Sequence, residues 1–256
     1  MVKGILFDKD GTLIDFFSLW LQAALEVIPQ LLEENEIEST PAMVEYLLQV
    51  IGVQGETVDP LGALAYKSYV EMADMIREAL AAKGIALETA KIHVQLEVLF
   101  HRSVTSRHAS LLQLTDLRDM TRILRERSIL VGLATADTIA SAQSCLESLD
   151  VLELFAYVGA DDGIKRPKPE KDMFLEFQQN FGLHAEEIAV VGDTYNDIVF
   201  ARQNGGIAIG VLSGVSTLKD FRGEADYVID SIQQLPELLD QIQEEQSAGN
   251  SIETRI

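Results

Sequence analysis

The chain has 256 residues, 47% of them apolar, and sets 20 basic against 41 acidic side chains for a formal charge of −21. The apolar share excludes wholesale disorder, and the length allows one large domain or two modest ones. The acidic balance excludes a nucleic-acid groove or a contact with an anionic membrane, both of which need clustered lysine and arginine, but it is compatible with a small anionic substrate held by a metal and a few cations.

Gly4-Ile5-Leu6-Phe7 reads as a short buried strand that stops at two carboxylates, Asp8 and Asp10, before Gly11 turns the chain. Met1-Val2-Lys3 runs straight into that strand with no leader pattern. Phe16, Leu19, Trp20, Ala23, Ala24 and Val27 then recur at helical spacing until Pro29, where a kink or an end is expected. Thr40 and Pro41 open a second helix that Gly52 closes. A loop over 52–62 leads to helical patterns through Tyr66–Leu80 and from Leu87 to about Val104. No strand is expected between residues 16 and 105.

From Leu111 the texture changes. Leu117, Met120, Ile123 and Leu124 mark a helix, and the apolar run Ile129–Ala134 ends at the hydroxyl of Thr135. Helix 140–149 contains Cys145, the single cysteine, which excludes an intrachain disulfide and fits a reduced, cytoplasmic setting. Strand 156–160, helix 171–181 and strand 187–192 follow, the last stopping at Asp193. A helix through Asp197 and Phe200, then strands 206–211 and 226–229, complete the pattern, and the polar run from about 243 reads as a frayed tail. No apolar run approaches the ~20 residues that span a bilayer.

Apolar strands alternating with helices mean a parallel α/β sheet, and such sheets bind ligands at the strands' carboxyl ends. Those ends carry Asp8, Asp10, Thr135 and Asp193. Carboxylates gathered in one crevice are unfavourable unless a cation or protons intervene, and an all-oxygen set suits Mg²⁺. Asp197, four residues beyond Asp193, offers a hold on a metal-bound water or a helix first-turn acid. A phosphoryl group would also need a cation, and Lys168, between Pro167 and Pro169, is the candidate.

With these segments assembled, the sequence resembles the haloacid dehalogenase superfamily of phosphohydrolases, in its phosphoglycolate-phosphatase-like branch. Asp8-Lys9-Asp10-Gly11-Thr12, Leu133-Ala134-Thr135, Lys168-Pro169 with Asp172-Met173-Phe174, and Gly192-Asp193-Thr194-Tyr195-Asn196-Asp197 carry the likeness, in the family's order. The resemblance implies an α/β fold, with a Rossmann-like parallel-sheet core over 1–15 and 110–240, an inserted all-helical cap domain over 16–109 and a polar tail over 241–256. It implies that Asp8 attacks phosphorus, that Asp10 passes the proton, and that Thr135 and Lys168 bind the phosphoryl oxygens. Mg²⁺ would be held by Asp8, Asp193 and the Asp10 carbonyl, with Asp197 beside them, and the cap would open for substrate and close over it. The substrate implied is a small phosphorylated metabolite, phosphoglycolate-like or a sugar phosphate. Dehalogenase members lack an acid at the second position, so Asp10 favours a phosphatase. A phosphosugar mutase or phosphotransferase uses the same core, and a non-catalytic phosphate-ligand-binding protein is the reading from another class. Two residues depart from the pattern: Lys9 stands where an apolar residue is usual, and Asp137 adds a negative charge beside Thr135.

Overall fold

In the computed structural model, which describes residues 1–107 and 111–253, the first apolar run forms β1 (Gly4–Phe7). The second run forms β4 (Leu130–Thr138), the third β5 (Tyr157–Asp161) and the fourth β6 (Ile188–Gly192), with β7 (Ile207–Val211) and β8 (Tyr227–Ile229) after them. They make one six-stranded sheet in the order β5-β4-β1-β6-β7-β8, and every pairing is parallel. β1 therefore lies between β4 and β6, which places Asp8 and Asp193 just past the carboxyl ends of adjacent strands and Thr135 in the second half of β4, which runs on to Thr138. This is the crevice that a doubly wound sheet opens where its strand order reverses.

The crossovers are α7 (Ile139–Ser148), α8 (Asp172–Phe181) and α9 (Tyr195–Gln203), and α6 (Leu117–Glu126) precedes β4. Phe174, Phe177 and Phe200 pack with Leu6, Ile188, Val190 and Ala208 in one buried cluster. Phe177 reaches the sheet because β1 and β4 both present glycine to it. A Cβ on Gly4 or Gly132 would stand 2.8 and 2.9 Å from its ring.

Contacts divide the chain into two units, 1–14 with 113–256, and 15–112. The second unit holds α1 (Gln22–Glu34), α2 (Pro41–Val50), α3 (Ala63–Tyr66), α4 (Tyr69–Ala81) and α5 (Thr89–Ser106). A π-helical turn, Phe17–Leu21, leads into α1, which continues through Pro29 instead of ending there. The carbonyl that the Pro29 ring deprives of a helical partner belongs to Leu25, on the exposed face of α1. The loop 52–62 also contains a hairpin that the sequence reading lacks. Val53–Gln54 (β2) pairs antiparallel with Thr57–Val58 (β3) across Gly55, whose φ is +60°.

The carboxyl-terminal segment is the other correction. α10 (Leu235–Glu253) takes in most of the run read as a frayed tail. Leu235, Leu238, Leu239 and Ile242 are buried, a helical spacing masked by the surrounding glutamines and glutamates. Among the described residues, no helix is long and apolar enough to cross a membrane.

Candidate active site

β1 hands the chain to a tight turn. The Asp8 N–H still donates to Val191 O at 2.8 Å, continuing the ladder with β6. The chain then folds back, and the Lys9 carbonyl accepts from Leu13 and Ile14 at 2.9 and 3.1 Å. Gly11 makes the reversal at φ +84°, a conformation that strains any residue with a Cβ.

Lys168 lies at the centre of the charge arrangement. Its Nζ donates to Asp8 Oδ1 and to Asp197 Oδ1, both at 2.6 Å, and its side chain is almost wholly buried. The loop bearing it is anchored by Asn196 Nδ2, which donates to the Lys168 carbonyl at 3.1 Å. The Arg166–Asp172 ion pair ties the same loop to the start of α8. Burial alone would lower the Lys168 pKa, but the two carboxylates outweigh it and raise it, so the side chain stays cationic.

Asp197 has the geometry of a first-turn acid. Its Oδ2 accepts from the Thr194 N–H at 3.1 Å and from Thr194 Oγ1 at 2.6 Å, which closes the amino end of α9. Its other oxygen is the one that holds Lys168.

Asp193 is 1% exposed, and its Oδ2 accepts from the Val215 N–H at 2.9 Å. Among the described residues its buried Oδ1 has no hydrogen-bond partner. The carboxylate is walled by backbone, since a Cβ on Gly11 or Gly214 would collide with it. Asp8, Asp193 and Asp197 each offer an oxygen within 4.8 Å of the others. Burial pushes the Asp8 carboxyl up to about 7, with Lys168 opposing, and burial with the Asp8 and Asp197 charges raises Asp193 well above its ordinary value. An orphaned buried oxygen among mutually repelling carboxylates fits a divalent cation, which would satisfy the oxygen and relieve the repulsion together.

Asp10, the fourth residue expected at the metal, turns its carboxylate elsewhere. Its Oδ2 is 3.2 Å from Lys9 Nζ, and the three carboxylates that gather within 4.8 Å do not include it. Thr135 is buried, and its Oγ1 accepts from the Asp137 N–H at 3.2 Å. Two features escaped the sequence reading. One is the Ser213–Val215 loop behind Asp193, where Ser213 Oγ also donates to the Gly11 carbonyl at 2.8 Å. A glycine just past the end of β7 was the available signal for it. The other is the pairing of Lys9 with Asp137. Lys67 and Arg77 are paired with Glu71 and with Asp74 and Glu78 at the surface. Cys145 is buried, and burial pushes its thiol up to about 12, which makes it an inert core residue.

A six-stranded parallel sheet that gathers a carboxylate cluster at its strand ends, with buried Lys168 brought to it by the loop after β5, is a Rossmann-like α/β core. The chain belongs to the haloacid dehalogenase-like hydrolases, whose family model matches residues 2–205. It is similar to a probable phosphatase, IndB, of Dickeya dadantii (strain 3937), at 33% identity over 107 residues, 42% of this chain and 46% of that one. It is 26% identical over 240 residues to a phosphoglycolate phosphatase of Salmonella choleraesuis (strain SC-B67), covering 91% of each chain. Among solved structures, a predicted phosphoglycolate phosphatase from Haemophilus somnus 129PT superposes with a TM-score of 0.70 at 16% identity, over 93% of this chain and 98% of that one. The chain is an enzyme, and the family and its relatives make it a phosphatase.

Proposed function

We propose that the chain is a Mg²⁺-dependent phosphatase that hydrolyses a small-metabolite phosphate monoester, phosphoglycolate-like or a sugar phosphate, through an aspartyl-phosphate. The observation that carries this reading is Lys168 Nζ held between Asp8 and Asp197 at 2.6 Å, beside the unpartnered oxygen of Asp193. Relatives named phosphoglycolate phosphatase at 25–26% identity over most of the chain support the substrate class.

In the first step a carboxylate oxygen of Asp8 attacks phosphorus while the bond to the leaving oxygen breaks. The electron pair stays on that oxygen, which takes the Asp10 proton and departs as an alcohol. In the second step water attacks phosphorus, Asp10 takes the water proton, and phosphate leaves with the Asp8 carboxylate restored. Lys168 and Thr135 bind the transferring oxygens, where positioning and charge are the main catalytic terms. Mg²⁺, held by Asp8, Asp193 and the Asp10 carbonyl with Asp197 alongside, would neutralise charge between nucleophile and phosphoryl group.

The test is phosphate release from p-nitrophenyl phosphate and from a panel of metabolite esters, including 2-phosphoglycolate. Release that disappears in Asp8→Asn and on chelation is the expected result. Unchanged turnover in Asp8→Asn overturns the reading, and phosphate moving between sugar positions without net release would mark a mutase.

A further inference from the structure

Lys9 is fully buried, in the residue between the two motif aspartates. A lysine there is physically expensive, because a buried ion pair is on balance no more stabilising than apolar residues of the same volume. Its Nζ lies 2.6 Å from Asp137 Oδ2 and 3.2 Å from Asp10 Oδ2. Asp137 is itself fixed. Its Oδ2 also accepts from Ser141 Oγ at 2.7 Å, and its Oδ1 accepts from the Thr138 N–H at 2.8 Å. Since the Asp137 N–H donates to Thr135 Oγ1, one chain of contacts runs from Thr135 through Asp137 and Lys9 to Asp10.

We propose that Lys9 is a positioning residue: clamped by Asp137, its ammonium fixes the direction of the Asp10 carboxyl toward the leaving oxygen. The inference rests on the phosphatase reading above. Lys9 and Asp137 are then one device contributed by two strand ends.

Leaving-group dependence separates this role from that of a structural strut. An aliphatic phosphate needs the Asp10 proton on its departing oxygen, whereas p-nitrophenolate departs without one. The measure is kcat/KM, which reports steps up to that departure. In Lys9→Met, kcat/KM for the best aliphatic ester of the panel should fall at least ~10-fold further than for p-nitrophenyl phosphate, within the range of one general acid. In an Asp10→Asn background Lys9→Met should cost nothing more. Because Lys9→Met leaves Asp137 buried and unpaired, Lys9→Met/Asp137→Asn serves as the second variant, with the same selective loss expected. Equal losses on both esters, no loss, or failure of both variants to fold would mark Lys9 as a strut and overturn the proposal. A wild-type protein that hydrolyses no ester, or an active Asp8→Asn, overturns the phosphatase reading and this inference with it. Wild-type turnover with a flat leaving-group pattern overturns this inference alone.

Discussion

Lys168 donates to two carboxylates in a nearly dry setting, so removing its ammonium strands both. Lys168→Met should cost about 3–5 kcal/mol of stability by breaking a buried pair from one side, as well as phosphatase activity. Denaturant unfolding checks the first and initial rates the second. Gly214 makes a subtler demand, because a methyl group there would collide with the Asp193 carboxylate. Gly214→Ala should therefore weaken divalent-cation binding while leaving the distant core packing untouched. Calorimetric titration of the metal-free protein with Mg²⁺ reads this, and wild-type affinity in the variant would show that Asp193 does not hold the ion.

Among the elements, α8 is joined to the sheet through Phe177, which lies over the glycines of β1 and β4. Phe177→Ala should cost about 3–5 kcal/mol, the range for a fully buried aromatic, seen as a lower denaturation midpoint. α10 earns a parallel test. Ile242→Ala should cost about 2–5 kcal/mol if the helix is packed, and almost nothing if the segment is a loose tail. The buried strands were legible because strands covered on both faces read as unbroken apolar runs. Asp8, Thr135 and Asp193 were legible because they end such runs. The hairpin at Val53–Val58 was not, since two-residue strands leave no period to detect. Nor was the Lys9–Asp137 pair: each residue looked like an isolated oddity, because contacts across 128 positions leave no trace in local spacing. Lys168 was found from its prolines, but its two carboxylate partners come from the fold.

At the scale of the whole molecule, the raised pKa of Asp8 links stability to pH. The unfolded group releases its proton near 3.8, the folded one at about 7. Between those values the folded state holds a proton that the unfolded chain has lost. The contribution is therefore fully present below 3.8, is lost as pH rises toward 7, and changes little above. The metal-free protein should melt at a higher temperature at pH 6 than at pH 8, and Mg²⁺ should stabilise it most at the higher pH. Thermal scans with and without chelator check this, and Asp8→Asn should reduce the difference, with buried Asp193, whose pKa is also raised, supplying the rest. The net charge of −21 acts on the substrate as well. An acidic enzyme repels an anion at long range, so KM for a phosphate ester should fall as inert salt is raised through ~0.15 M, the reverse of an electrostatically steered enzyme.

The place of β1 in the sheet also governs how the chain is made. Gly4 pairs with Leu130 on one side and with Ile188 on the other, so β1 is synthesised well before either partner and must wait for both. At roughly 5–20 residues per second, its second neighbour follows about 10–40 s behind it. For that interval Ile5-Leu6-Phe7 is an apolar segment with an unsatisfied edge, while residues 15–112 are already out and form a unit of their own. Assembly of the candidate crevice is thus a late event in synthesis, and β1 is a strand that needs cover until its partners arrive.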